Sequence, residues 1–543
     1  MTRLLLLALL LPLASLSAQA RLPLKLAPRP TTAAITAEDL MSRLYAFADD
    51  SMMGREAGTE GSVKATDFIT RELQRLGLRP AGDGGSWFQA VPLVRRATSE
   101  ATRVAIEGDS LAMWSDYAPV RAGKLGAPAV FSGTLRDSTA WISAEAARGK
   151  VVVFEASGGS IRVPPSDSGA RFAGAAALAI IIPDPMMAPY AAFLRGGAVT
   201  MRREQSASGP AVLLLSRSAA TRLFGYIAAA RPGAAGKTVN GEIVITETEL
   251  PARNVVAILP GSDAKLRGQY VALGAHSDHV GYAAQAVDHD SLRAFDTVLR
   301  PQGMDSPPRP ATPDDLARVR AILDSLRALN APRADSINNG ADDDGSGSMA
   351  LLEIAEAMAK GKARPKRSVL FVWHTAEEKG LFGSEWFTDH PTVPRDSIVA
   401  QLNIDMIGRG SAADVPDGGP GYLQLIGSRR LSTELGDLVE KVNAEGKHGF
   451  TFDYQYDANG HPEQYYCRSD HYEYARYGIP VVFFSTGGHR DYHLVTDEPQ
   501  YIDYVHYRAV TQLIHDIALR IADLDHRVVV DKPKPDPKGV CVQ

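Results

Sequence analysis

Between residues 255 and 484 the chain carries six short apolar runs, at 255–259, 270–274, 369–373, 399–404, 422–426 and 481–484. Stretches with helical character, such as "SMALLEIAEAMAKG" and "STELGDLVEKVNAEG", lie between them. Strand alternating with helix in this way predicts an α/β fold in three layers, a mostly parallel mixed sheet flanked by helices on both faces. That pattern constrains the rest, because an open parallel sheet gathers the carboxyl ends of its strands along one edge, where ligands bind.

The residues just after each run are therefore informative. "YVALGA" leads into His276 of "HSDH", and "SVLFVW" into His374, Glu377 and Glu378. "IVAQLNI" runs into Asp405, and "PVVFFSTGG" leads to His489, Asp491 and His493. Before the first of the intervening helices sits "GADDDGSGS", with Asp342, Asp343 and Asp344. Acids and imidazoles converging from more than two hundred positions need a neutralising partner, and a metal is the economical one. Nitrogen and carboxylate donors suit zinc, and also manganese or cobalt. Several carboxylates suggest two ions about 3.5–4 Å apart sharing one Asp. Such a site needs one more carboxylate that takes a proton from water without binding metal. The adjacent glutamates answer that need: one binds, its neighbour acts as base.

These residues also have ordinary readings. An acid triplet before a helix favours the positive end of the helix dipole, and Asp342 or Asp344 can be capping groups. His489 competes with His493 as the last ligand; in "GGHRD" it reads as loop surface. His279, His390, His461 and His471 read as structural or exposed, and His374 receives no role.

The chain of 543 residues exceeds one ordinary core, so two or more packed units are expected. Residues 1–20, "MTRLLLLALLLPLASLSAQA", have the charged start, apolar stretch and A-x-A ending of a secretory signal, with cleavage after Ala20 and export to the periplasm or medium. Residues 21–103 contain a helical stretch, "GSVKATDFITRELQRLGLRP". Residues 104–240 change texture to Ala, Gly and Val with short strands such as "GKVVVFEA"; "ARFAGAAALAIIIPDP" reads as a small-residue helix entering a strand. No cluster of His and acids occurs there, which marks a noncatalytic inserted domain. Residues 241–528 hold the catalytic pattern, interrupted at 284–337 by a loop and a capped helix, and 529–543 read as an extended tail. Net charge is −5, with no basic footprint for nucleic acid and no polybasic membrane patch. Cys467 and Cys541 are the only cysteines, and they can pair in an oxidising compartment or remain free thiols.

The stretches "GAHSDHVG", "NGADDDGSGSMALLEIA", "HTAEEKGLFGS", "NIDMIGR" and "GIPVVFFSTGGHRDYHLVTDEP" together resemble the co-catalytic dizinc aminopeptidase family, which includes bacterial leucyl-type aminopeptidases and relatives of glutamate carboxypeptidase and glutaminyl cyclase. The resemblance implies two Zn²⁺ ions, with His276 and Asp405 on one, Glu378 and His493 on the other, and Asp343 bridging. It implies Glu377 as general base, Asp278 as the acid orienting the His276 imidazole, and Tyr492 as a phenol steadying the oxyanion. Residues 104–240 are similar, more weakly, to the smaller β-rich protease-associated domain inserted in this family, and "REAGTEGSVKATDFITRELQRLGLRP" resembles the family's amino-terminal helix, which implies that 21–103 are the amino-terminal part of a peptidase domain split by the insertion. The implied activity is an exopeptidase acting on peptide substrates, most simply an aminopeptidase. The alternatives are a glutamate-releasing carboxypeptidase, for which Arg409 or Arg468 would hold the substrate carboxylate, a glutaminyl cyclase, and an inactive binding protein. His276 and Asp343 are 67 positions apart, far more than compact members need, so the 284–337 insertion is expected beside the site as a lid or rim.

Overall fold

A computed structural model describes residues 22–156, 171–203, 209–329, 331–361 and 364–543. The leader expected at 1–20 lies outside these residues.

The six apolar runs are strands β1 (Arg253–Leu259), β2 (Tyr270–His276), β3 (Ser368–His374), β4 (Ile398–Ile404), β5 (Tyr422–Ile426) and β6 (Val481–Ser485) of one sheet, in the order β1-β3-β2-β4-β6-β5. β3, β2, β4 and β6 run parallel to one another, while β1 and β5 flank them antiparallel. Short strands at Arg79–Pro80 and Thr451–Asp453 complete the two edges.

Both faces are buried, which is why these strands read as continuous apolar runs. Val255, Ala257, Val271, Leu273, Val369, Phe371 and Trp373 point into the larger core. Their neighbours Val256, Ala272, Leu370 and Val372 point into the smaller one on the other side, as the two-residue strand period requires. The larger core is roofed by α1 (Ala37–Phe47), α2 (Glu60–Leu76), α3 (Gly347–Lys360), α4 (Thr433–Gly446) and α5 (Tyr504–Ala522). α2 stops at Gly77, whose φ of 74° is the left-handed cap that glycine adopts without steric cost. Helices Phe382–Asp389 and His471–Ala475 lie on the opposite side.

α1 and α2 come from before the 104–240 region and pack on the sheet that holds β1 to β6. Arg43 of α1, buried, reaches Glu353 Oε2 of α3 at 2.9 Å, Glu72 Oε2 of α2 at 3.1 Å, and Glu356 of α3. A separate eight-stranded sheet is built from residues 103–243 and has its own core. There Arg171 is helical, but residues 172–176 make turns leading into Ala177–Ile182 instead of continuing the expected small-residue helix. Small side chains there allow the tight turns, and no apolar stripe calls for a helix.

Within the insertion, Pro313–Arg327 is the capped helix, with Thr312 and Asp315 forming a capping box. A second helix, His289–Leu299, and a two-stranded ribbon, Tyr282–Asp288 with Ala334–Ile337, were not evident in the sequence. Cys467 and Cys541 form a disulfide that pins the tail to the body. Among the described residues no helix is long and apolar enough to cross a membrane.

Candidate active site

The parallel strands deliver the site by ending. His276 is the last residue of β2, His374 the last of β3, and Asp405 follows β4 directly. Just past these strands, and again at the last ligand candidate, the chain turns through left-handed backbone, at Ala376 (φ 56°), Met406 (φ 59°) and His493 (φ 58°). Such conformations are uncommon for residues with a side chain and accumulate at functional sites. The Asp-rich loop Ala341–Ser346 enters α3 between the ends of β2 and β4. Gly347 lies so close to β4 there that an added Cβ would stand 2.1 Å from the Ile404 carbonyl oxygen.

Two groups of donors result, and they share Asp343: His276, Asp343 and Asp405 in one, His279, Asp343, Glu378 and His493 in the other. Within each group the candidate ligand atoms lie within 4.8 Å of one another. Asp343 turns Oδ1 toward His276 Nε2 at 3.2 Å and Oδ2 toward His493 Nε2 at 2.9 Å. His276 Nε2 is also 3.7 Å from Asp405 Oδ1, and His493 Nε2 is 3.0 Å from Glu378 Oε2. Glu377 belongs to neither group; its Oε2 stands 4.0 Å from His276 Nε2.

His276 Nδ1 donates to the main-chain carbonyl of Asp278 at 3.1 Å, which fixes the tautomer and leaves Nε2 free to ligate. The Asp278 carboxylate, expected from the resemblance to orient this ring, lies farther away, at 3.8 Å. Its Oδ1 instead accepts from the backbone N–H of Glu377 at 3.2 Å. The tight "HSD" turn brings the carbonyl, rather than the side chain, under the imidazole.

The outer acids of the triplet hold the loop. Asp344 accepts from the backbone N–H groups of His276, Gly347 and Met406, tying β2, α3 and β4 together. Asp342 accepts from Gly408 N at 2.6 Å and pairs with His489 Nε2 at 3.2 Å. His489 is therefore fully buried, not loop surface as its sequence suggests. Asp497 accepts from the backbone N–H groups of Asp342 and Asp343, and buried Arg55 donates to the carbonyls of Asn339 and Gly340 at 2.6 and 2.8 Å. His374 is enclosed between Asp470 Oδ2 (3.1 Å) and the Tyr474 hydroxyl (3.0 Å), facing away from the donors.

His279 is the residue that sequence reasoning passed over. It is fully buried, and its Nδ1 donates to Glu378 Oε1 at 2.9 Å. The signal available was its place in "HSDH", one position after Asp278 and three after His276. A histidine without a motif partner gives no reason to prefer that to a core position.

Four carboxylates (Asp343, Glu377, Glu378 and Asp405) crowd this crevice. Burial disfavours a charged His276, but Glu377 and Asp405 outweigh it and raise the imidazole well above its ordinary range. Burial likewise opposes a charged His493, and Asp343 and Glu378 overcome that to push it up to about 11. Burial raises Glu377 well above a normal carboxyl; His276 opposes this, and Glu378 and Asp405 add to it. Divalent ions held here would neutralise this group of carboxylates. Asp405 Oδ1 is buried without a hydrogen-bond partner, while its Oδ2 accepts from Ser469 Oγ at 2.7 Å. The donors are nitrogen and oxygen with no thiolate, a set that fits zinc.

A cavity of about 60 Å³ opens over the donors, walled by Met406, Tyr465, Arg468, Phe483, Tyr492 and Asp305. The Tyr492 ring stacks on His493 at 3.9 Å between centroids, and its hydroxyl lies 3.4 Å from Arg468 Nη2. Arg409 is not on this wall; it is buried in ion pairs with Asp491 (2.9 Å) and Asp497 (3.6 Å).

Fold and site together define a three-layer α/β protein with two metal-competent donor groups joined by one aspartate. Residues 254–518, which contain every one of these donors, match the model described as Peptidase family M28. The chain is 28% identical over 230 residues to "Leucine aminopeptidase 1" of Aspergillus fumigatus, a match covering 38% of this chain and 55% of that protein. It is 42% identical over 77 residues to "Leupeptin-inactivating enzyme 1" of Streptomyces exfoliatus, covering 14% and 18%. The matches thus span about half, or less, of these curated relatives. Among solved structures, the aminopeptidase from Aneurinibacillus sp. strain AM-1 superposes with a TM-score of 0.50 at 16% identity, over 92% of this chain and 97% of that one. That likeness concerns the fold.

Proposed function

We propose that the chain is an exported zinc-dependent aminopeptidase that hydrolyses N-terminal residues from peptides. The observation that carries this reading is Asp343, one carboxylate turned toward both donor groups, with Glu377 beside them but in neither. His276 and Asp405 would hold one ion, Glu378 and His493 the other, and Asp343 both. When bound, the ions supply Lewis acidity, lowering the pKa of water and stabilising charge on the substrate carbonyl oxygen.

The chain's own groups do the rest. Glu377, beside the donors but in neither group and 4.0 Å from His276 Nε2, is placed to accept a proton from water and return it to the leaving amine. Asp278 fixes where that carboxylate sits by accepting from the Glu377 backbone N–H. Tyr492 presents its hydroxyl at the cavity wall, where it would donate to the oxyanion. The names of the relatives support the amino-terminal direction. So does Arg468, since a carboxypeptidase needs a free basic group and this one is paired with Asp305 at 2.6 Å. The disulfide supports export, because such bonds persist in oxidising compartments. We assign the 104–240 region as an inserted protease-associated-like domain, supported by its separate sheet and core.

Assaying zinc-loaded protein on aminoacyl-anilides and on amino-blocked dipeptides tests the reading. Cleavage of the anilides, abolished by a chelator and restored by zinc, is expected. Cleavage of only the blocked dipeptides would overturn it in favour of a carboxypeptidase.

A further inference from the structure

Among the described residues lining the cavity, Asp305 alone comes from the insertion, and Arg468 is the only lysine or arginine. The segment carrying Asp305 is firmly seated. Gly303, with φ 55°, lies so close to Tyr492 that an added Cβ would stand 2.5 Å from its carbonyl oxygen, and Met304 N donates to that same oxygen at 3.2 Å. One helix of the insertion is clamped from below, where Arg293 reaches Asp491 Oδ1 at 2.5 Å, two residues before His493. The rim and the loop bearing the last candidate ligand therefore form one unit.

Arg468 is held from several sides. Its Nη2 lies 2.6 Å from Asp305 Oδ2 and 3.4 Å from the Tyr492 hydroxyl, its Nη1 lies 3.6 Å from Glu463 Oε2, and its guanidinium stands 5.5 Å from the centre of the Tyr465 ring. An unpaired guanidinium on a pocket wall captures carboxylates through paired charge-assisted hydrogen bonds. Here the strongest position on its cavity side is occupied by the chain's own carboxylate.

We propose that Asp305 is a specificity-determining residue: by occupying Arg468 it turns the cavity away from substrates that present a carboxylate there and toward uncharged ones. Met406, Tyr465 and Phe483, also on the cavity wall, suit an apolar side chain. The inference rests on the aminopeptidase reading and adds a substrate class to it. The insertion that separates His276 from Asp343 would then act as a selective rim.

The test uses the full zinc-loaded chain and its Asp305→Asn and Asp305→Ala variants on two substrate pairs. Leucyl- and glutamyl-p-nitroanilide place the carboxylate on the first side chain; Leu-Gly amide and Leu-Gly place it at the far end. In at least one pair, kcat/KM for the charged member relative to the neutral one should rise about tenfold or more, mainly through KM, the usual gain from a hydrogen bond to a charged group. Adding Arg468→Met to Asp305→Asn should abolish that gain. Ratios that stay within about twofold in both pairs overturn the proposal, as does an equal fall for charged and neutral members, which would make Asp305 a direct substrate contact. Wild-type protein that cleaves none of the four substrates refutes the peptidase reading itself; cleavage with unmoved ratios refutes only this inference.

Discussion

Changing Glu377 and Glu378 to glutamine one at a time should separate proton transfer from metal retention. Each exchange replaces one carboxylate oxygen with an amide and keeps the shape. Glu377 lies outside both donor groups, 4.0 Å from His276, and its backbone N–H bond to Asp278 does not involve the side chain. Glu377→Gln should therefore keep its metal content while losing a general base, which is worth about 10²–10⁴-fold in rate, or about 3–5 kcal/mol of barrier. Glu378 Oε2 stands 3.0 Å from His493 Nε2 and Oε1 2.9 Å from His279 Nδ1, inside a donor group. Glu378→Gln should weaken retention of one ion at least about tenfold, and added zinc should restore part of the activity. Leucyl-p-nitroanilide turnover, measured beside zinc content after gel filtration, reads both effects. A metal-poor Glu377→Gln with a metal-replete, inactive Glu378→Gln would refute the assignment.

His279→Ala removes the N–H that orients Glu378, so zinc affinity should fall about 10–100-fold, measured by competition with a chromophoric chelator. Arg43→Met strips buried Glu353 of its partner and should cost about 3 kcal/mol or more, read as a lower thermal midpoint. The same pair sets a pH dependence. Burial raises Glu353 to about 7, with Arg43 opposing, against an ordinary 4.5. Its favourable contribution is therefore complete below about pH 4.5 and disappears as pH climbs through about 7. Glu353→Gln should accordingly gain on wild type, in thermal midpoint, between pH 5 and pH 8.

The sheet was legible because strands such as β2 and β3 are buried on both faces and so read as unbroken apolar runs. The convergence of His276, Glu378, Asp405 and His493 was legible for a geometric reason: parallel strands end along one edge. Other features depend on contacts that no local pattern encodes. His489 is buried because Asp342 reaches it across 147 positions of chain (489 − 342). The helix His289–Leu299 has an N-cap in Asp288 and Pro301 two positions past its end, but no glycine or proline separates it from the strand Tyr282–Asp288 before it. Asp305 reaches the cavity only because Gly303 fits against Tyr492, and the pairing of Cys467 with Cys541 needs the tail folded back. The exchange of Asp278 carboxylate for carbonyl depends on the turn's dihedral angles, which residue types leave open.

Anomalous diffraction at the zinc absorption edge, on crystals of chain loaded with the metal, tests the central claim most directly. Two peaks should flank the Asp343 carboxylate, one toward His276 and Asp405 and the other toward Glu378 and His493. A single peak, or peaks away from Asp343, would contradict the account.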